Sequence, residues 1–377
     1  MARIVHMTSV HSPLDPRIYA KECRSLAAAG HKVYLVAPAE GSKVDGGVEL
    51  VAVPPAINRL QRMVVTTALV FRKAIGLRAD AYHFHDPELI PWALLLRLLG
   101  RTVIYDVHED YVSAIEQKSY LQPALRRTLA LAWDRFERLI AKAFYVVLAE
   151  RYYVERFPQG WKVLNYPMAR ELGGGLRAAF SADSRRLLYT GNVTEDRGAL
   201  NHAAIVAYAP EYELHAIGRC THVLAERMRQ CARANADRIQ HVGIDEYVPF
   251  SRIQRSYTDE FWLCGLALFP PTPHYQRKEL TKFFEYMQAG LPIVCSEFST
   301  WRALVEEEGI GLCVPPDDVV RIVEALAWLR SHPIEAAAMG ERGRRLIQER
   351  FNWESQAAEL RRLYDAILPR QGARHPS

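Results

Sequence analysis

Two successive series of short apolar runs, rich in β-branched residues and each followed by an amphipathic segment, occupy most of this chain. That alternation constrains its fold more than any other feature. In the first series "RIVHMTS" leads into a helical pattern through "RIYAKECRSLAAAG", which Gly30 ends, and then "HKVYLVAP", "GVELVAV", "AYHFH", "RTVIYDV" and "FYVVLA" follow. Helical patterns at about 57–78, 87–99 and 120–142 separate them. The second series reads "RRLLYTG", "YELHAIG", "RIQHVG", "CGLALFP", "LPIVCS" and "GLCVP", with helical patterns near 198–207, 222–235, 245–255, 278–289 and 317–331. Strand, helix and strand in that order build parallel sheets covered by helices on both faces.

The expected architecture is α/β, with two Rossmann-like doubly wound domains in tandem and a cleft between them. Residues 1–165 form the first domain and 186–350 the second. The stretch 166–185 loses its periodicity and carries three glycines at 173–175, which reads as the connection. Residues 351–377 read as a terminal helix packing back on the first domain. A chain of 377 residues is long enough for two ordinary cores. In such sheets, ligands bind beyond the carboxyl ends of the strands.

Composition removes several classes. The formal charge of +5 is spread along the chain, with no basic tail or stripe that would call for nucleic acid. The six cysteines never form C-x2-C and mostly sit in apolar runs, which suits reduced thiols in a cytoplasm. No apolar stretch reaches the length of a membrane span. There is no P-loop, no G-x-S-x-G, no H-E-x-x-H and no G-x-G-x-x-G after the first strand, where "VHSPLDPRI" stands instead.

The loops that follow the strands carry the candidate chemistry. "YTGNVTEDRGAL" sets Gly191 and Asn192 at a strand end and Arg197 at a helix start, an arrangement suited either to a phosphate or to an ordinary turn with a surface arginine. Gly218 in "HAIGRC" and Val242-Gly243 in "QHVGIDEY" end strands where backbone could meet a flat ring. In "RKELTKFFEYMQAGLPIVC", a helical wheel places Leu280, Phe283, Phe284 and Met287 on one side and Lys278, Lys282 and Glu285 on the other. From the wheel alone, a solvated i,i+3 pair is favoured over a ligand-holding pair.

In the first half, His11, Asp15 and Arg17 follow strand one, and His108, Glu109 and Asp110 follow "IYDV". Asp15 before Pro16 reads either as a helix cap or as a residue of the cleft, and for Asp86 before Pro87 capping is favoured over catalysis. Adjacent residues on one loop seldom chelate one ion, so no metal is expected at 108–110. Between 117 and 142, six Lys and Arg residues are interleaved with Leu, Trp133 and Phe136. That pattern fits either a sheet-covering helix or one lying on an anionic membrane surface.

Taken together, "TKFFEYMQAGLPIV", "YTGNVTEDRGAL", "IYDVHEDY" and "DPRIYAKECRSLAAAGHKVYLVAP" resemble glycosyltransferase family 4, in its variant with Lys-x-x-Glu-Tyr-Met in the nucleotide-binding segment. The resemblance implies the two-domain GT-B fold and retaining, metal-independent transfer of a hexose. The donor would be a nucleotide-sugar, a UDP-sugar in the first instance, and the acceptor a glycan or lipid-linked hydroxyl in bacterial surface polysaccharide synthesis. It implies no cofactor, no nucleic acid, and a cytoplasmic protein able to sit on the inner membrane face. Residue by residue, Glu285 matches the carboxylate that accepts the ribose hydroxyls. Arg197 and Lys282 match the cations near the diphosphate, and His108 the histidine beside the donor sugar. Gly191, Asn192, Gly218, Val242, Gly243 and Thr281 fall at the nucleotide. His11, Asp15, Arg17, Glu109, Arg277 and Lys278 are candidates for the donor sugar or the acceptor. The chain departs from the usual pattern at Arg277, where the family's first glutamate stands, and at Asn192, where it has an arginine. A UDP-sugar 2-epimerase on the same fold and a non-catalytic nucleotide-sugar-binding subunit are the competing readings.

Overall fold

The computed structural model describes residues 1–116, 118, 122–169 and 179–368. The triple glycine at 173–175 lies outside the described residues. The chain divides into two compact units, Met1–Asn165 with the helix Trp353–Ile367, and Tyr166–Asn352.

Unit 1 holds β1 (Arg3–Met7), β2 (Lys32–Pro38), β3 (Lys43–Asp45), β4 (Val48–Val53), β5 (Ala81–Phe84), β6 (Thr102–Val107), β7 (Tyr145–Leu148) and β8 (Trp161–Lys162). They lie in the order β3-β4-β2-β1-β5-β6-β7-β8. All neighbours are parallel except β3 and β4, which pair antiparallel. That hairpin was not expected. Its turn is Gly46-Gly47, both at positive φ, as a two-residue hairpin with primed geometry requires. Chain order reverses between β1 and β5, which puts a topological switch point at the loops after Met7 and Phe84.

The helix that follows β1 starts at Pro16 with a wide turn, in which the Ala20 N–H reaches the Asp15 carbonyl at 3.3 Å. Asp15 caps it, accepting from the N–H groups of Arg17 and Ile18 at 2.8 and 2.9 Å. The terminal helix is tied to the same unit. Trp353 Nε1–H donates to Ser25 Oγ at 2.8 Å, and the Gln356 side chain accepts from Leu164 N at 2.9 Å.

Unit 2 holds β9 (Arg186–Thr190), β10 (Glu213–Cys220), β11 (Ile239–Ile244), β12 (Cys264–Ala267), β13 (Ile293–Ser296) and β14 (Gly311–Val314). The order β11-β10-β9-β12-β13-β14 is that of a doubly wound dinucleotide-type sheet, with every neighbour parallel and the switch point between β9 and β12. The helix Thr281–Ala289 ends at Gly290, whose φ of 70° forms a left-handed cap. Behind it packs the helix Pro333–Glu349, so closely that a Cβ on Gly340 would stand 2.1 Å from the Gly290 carbonyl oxygen.

Gly340→Ala should therefore force these two helices apart. A loss of about 1–3 kcal/mol is expected from such overpacking, read as a lower urea midpoint; an unchanged midpoint would show that the two helices yield at no cost.

Candidate functional site

In unit 2 the helix Thr281–Ala289 presents its residues to the end of β9. Tyr286, buried, seats the helix. Its hydroxyl lies 3.3 Å from the carbonyls of Leu188 on β9 and Leu266 on β12, and it accepts from Thr190 N. Gly265 leaves the room: a Cβ there would meet the Tyr286 ring at 2.4 Å.

With the helix so fixed, Lys282 points inward and is only 8% exposed. Its ammonium stands over the Tyr189 ring at 3.6 Å and the Phe269 ring at 4.8 Å, and Nζ has no hydrogen-bond partner. Burial pushes its pKa well below the usual lysine value. Arg197 pushes in the same direction, and Glu285 opposes both. A buried lysine resting on aromatic faces, with a guanidinium bearing on it, is poised to take up a proton together with an anion.

Glu285, half-buried, accepts from the Tyr257 hydroxyl at 2.9 Å. That hydroxyl in turn accepts from Thr190 Oγ1 at 2.8 Å, so the carboxylate is held by a chain anchored at the end of β9. Arg197 ends a short 3-10 turn, Glu195–Arg197, and its Nε–H donates to the Tyr275 hydroxyl at 3.1 Å. Tyr275 donates to Asp196 at 3.0 Å, which fixes the aim of the guanidinium. Gly198 follows at φ 79°, and a Cβ there would lie 1.9 Å from the Leu268 carbonyl oxygen. The N–H of Leu268 is received by Nε2 of the buried His202, whose pKa burial pushes down to about 3.

The glycines at the strand ends do two different things. Gly191 has φ 91° with open space where a Cβ would point. Gly218 and Gly243 instead permit loop to pack on loop. A Cβ on Gly218 would meet the Gly191 carbonyl oxygen at 2.0 Å, and one on Gly243 would meet Val248 at 2.3 Å and the Gly218 oxygen at 2.8 Å. Val242 lies half-buried on β11 beside them, and the exposed Asn192 gives its carbonyl to the Tyr189 hydroxyl at 2.8 Å. Thr281 is exposed in the first turn of its helix, Arg277 is exposed, and Lys278 is half-buried with its carbonyl accepting from Trp301 Nε1–H at 2.8 Å.

In unit 1, the loops at the switch point bring together residues distant in sequence. His11 Nε2 and His108 Nε2 lie 3.0 Å apart. His108 Nδ1 lies 3.2 Å from an Asp106 carboxylate oxygen. With that N–H committed, His108 Nε2 accepts and His11 donates. His11 also faces Asp15 at 3.5 Å and Asp86 at 3.3 Å. Burial works against its charged form, but the hydrogen bond to Asp15 and the charges of Asp86, Asp15 and Glu109 outweigh it and raise its pKa. Burial likewise opposes the Asp15 carboxylate, yet His11 and the capped N–H groups bring its pKa down to about 2. Asp15 is thus cap and charge partner at once.

Two other expectations change. Asp86 makes no side-chain cap to the turn Pro87–Leu89. Its carboxylate ties the loop after β1, accepting from Thr8 Oγ1 at 2.8 Å and Ser9 N at 2.6 Å, because the switch point sets that loop beside it. Arg17 is 4% exposed and forked onto Asp106 at 2.7 and 3.0 Å, with Nη1 donating to the Val163 carbonyl at 3.1 Å. It positions Asp106 rather than facing a sugar. Glu109 is exposed, with its carboxylate grouped with His11 and His108. Asp110 turns away to cap the helix Tyr111–Glu116, accepting from Ser113 N at 3.1 Å. The supports Tyr257, Thr190, Tyr275 and Asp106 were not foreseen; only their positions at strand ends or in neighbouring loops hinted at them.

Asp15→Asn should lower the pKa of His11 by removing the carboxylate whose hydrogen bond raises it. Titration of the His11 ring by NMR reads the change, and an unmoved pKa would refute the pairing.

Residues 17–158 match the model of Glycosyltransferase Family 4. The chain is 23% identical over 365 residues to a phosphatidyl-myo-inositol mannosyltransferase of Mycolicibacterium smegmatis, covering 91% of this chain and 87% of that protein. Among solved structures it is similar to the sucrose-phosphate synthase of Thermosynechococcus elongatus, with a TM-score of 0.75, 17% identity and 97% and 99% of the two chains covered. It is also similar to Anabaena HepE in complex with UDP and glucose, with a TM-score of 0.66, 12% identity and coverage of 97% and 100%.

Proposed function

We propose that this chain, a glycosyltransferase of the family 4 type on the GT-B fold, transfers a hexose with retention from a UDP-sugar to a hydroxyl of a glycan or lipid-linked acceptor. Unit 2 takes the nucleotide. The observation that carries this reading is Lys282, a buried lysine whose Nζ has no hydrogen-bond partner on an aromatic floor, with Arg197 bearing on it and Glu285 one helical turn away. As the glycosidic bond breaks, negative charge develops on the leaving diphosphate, and preorganised cations lower the barrier most when they are already desolvated. Arg197, and Lys282 once it takes up a proton as the diphosphate binds, supply that charge, so the reading calls on no metal for the leaving group. Glu285, held by Tyr257, is placed to accept the ribose hydroxyls.

The acceptor hydroxyl loses its proton to the departing phosphate, so no pair of catalytic carboxylates is needed. The reading assigns His108, and His11 behind it, to the donor sugar and the acceptor. The UDP complex of a similar fold and the lipid acceptor named for a mannosyltransferase relative support the donor class and the acceptor class respectively. Attachment to a membrane surface is supported by the helix Pro123–Ala141. It exposes Leu125, Leu129, Leu131, Phe136 and Leu139 together with Arg127, Arg135 and Arg138. Among the described residues, no helix is long and apolar enough to cross a membrane. A role in building bacterial surface polysaccharide follows from the acceptor class.

Thermal shifts with UDP-, GDP- and ADP-sugars, recorded without added divalent cation, test the donor. At least one should stabilise the protein, and Glu285→Ala should weaken that donor about tenfold or more, the scale of a lost hydrogen bond to a charged group. Silence toward every donor would end the proposal, and isomerisation of the sugar without diphosphate release would replace it with an epimerase. A diphosphate arriving beside Lys282 should raise its depressed pKa, so binding takes up protons. Calorimetry of UDP binding in buffers of different ionisation enthalpy should show that uptake in the wild type and lose it in Lys282→Gln.

A further inference from the structure

Beneath the loops of unit 1, inside its core, four side chains converge that the transfer reaction does not use. His6 on β1 and His83 on β5 are register partners, and His85 lies two residues beyond His83, just past the end of β5. Glu22, from the helical segment that follows Asp15, covers them. All four are at most 1% exposed, and their ligand atoms lie within 4.8 Å of one another. We propose that His6, His83, His85 and Glu22 form a closed structural site for one divalent transition-metal ion, zinc by its chemistry.

The three imidazoles hydrogen-bond to one another or to neighbours, and Glu22 is the member that no hydrogen bond joins to them. Glu22 Oε2 is 3.8 Å from His6 Nδ1, 3.9 Å from His83 Nδ1 and 4.0 Å from His85 Nε2. Those separations are too long for hydrogen bonds. Ligands about 2.0–2.1 Å from a tetrahedral ion stand about 3.3 Å apart, and the 3.0 Å hydrogen bond between His6 Nδ1 and His85 Nε2 is a contact that an ion would replace. Neither oxygen of Glu22 has a hydrogen-bond partner, nor does Nε2 of His6 or His83. Arg17, the cation beside Glu22, is shared with Asp106, so among the described residues Oε2 faces the histidines with no positive charge of its own.

The two oxygens of Glu22 divide their surroundings. Oε2 faces the histidines, while Oε1 lies 3.1 Å from Arg17 Nη2. The second shell is present as well. His85 Nδ1–H donates to Asp106 at 3.0 Å, which bares Nε2 toward the cluster in the carboxylate–histidine arrangement common to metal ligands. Burial keeps the imidazoles of His6, His83 and His85 neutral, the form that ligates, and without a cation it raises the Glu22 carboxyl well above its usual range. A cross-strand histidine beside a His-x-His strand is the placement that brings three imidazoles to one point on a sheet face. The Tyr364 hydroxyl, 3.0 Å from His83 Nδ1, is the competing partner that an ion would displace. Of the other groupings, His85 with Asp106 and His108 is already neutralised by Arg17, and His11 with His108 and Glu109 is partly open. With four protein ligands and no open position, the ion would take part in folding rather than in chemistry.

The test uses the full chain without a histidine tag, purified from zinc-supplemented culture, with metal content measured by inductively coupled plasma mass spectrometry. One zinc per chain is expected, and refolding with Co2+ should give the intense visible bands of a four-coordinate ion. Glu22→Gln, which removes a direct ligand, should purify with well under one ion per chain, while Tyr364→Phe and His11→Gln keep one ion per chain. If Glu22→Gln fails to fold, the wild type decides alone: protein refolded with chelator should melt lower than protein refolded with zinc. A folded wild-type chain without metal, before and after refolding with it, would overturn the site. So would an ion retained by Glu22→Gln or lost in His11→Gln.

Discussion

The buried pairing of Arg17 with Asp106 is the constraint around which unit 1 is arranged. Both oxygens of Asp106 accept from one guanidinium, and one of them also receives His85 and lies beside His108. A buried ion pair adds little net stability over an apolar pair, yet breaking it strands a charge at a cost of about 3–5 kcal/mol. The pair therefore fixes geometry more than it adds energy. It holds the first turn after Asp15 against the end of β6, and through that turn it sets His11 against His108.

Unit 2 reaches the same precision by leaving atoms out. Gly198, Gly218, Gly243, Gly265 and Gly340 each stand where a Cβ would collide with backbone or with a buried ring. These approaches bring the loops after β9, β10 and β11 together and let Tyr286 reach across two strands. Lys282 and Glu285 then inherit their positions from a helix that is locked on both sides. Electrostatics follows from packing: Lys282 is desolvated because Tyr189 and Phe269 lie under it, and its pKa falls because water is absent.

Much of this was legible in the chain. Among the described residues, the alternation of apolar runs and helical patterns located twelve of the fourteen strands, because a buried parallel strand must be continuously apolar and must be followed by a crossover. It passed over the β3 hairpin and the two-residue β8, which are too short to show a period. Lys282 and Glu285 were legible as a pair but not as buried or held. Their partners Tyr257 and Tyr189 are 28 and 93 residues away from them, and the strand order, not local spacing, makes them neighbours. Asp86 illustrates the same limit: Asp-Pro reads locally as a cap, while the switch point turns the carboxylate to Thr8 and Ser9.

Local periodicity and strand-end chemistry thus determined the α/β class, the doubly wound sheets and the helix that carries Lys282 and Glu285, because those features depend on residues within one turn or one strand. Tertiary structure alone decided which charges are buried, which glycines exclude a Cβ and which histidines meet. His6, Glu22, His83 and His85 share one point inside unit 1 only because β1 and β5 are neighbours in the sheet and a helix closes over them. Burial and proximity across a sheet are properties of strand order, and no stretch of sequence contains them.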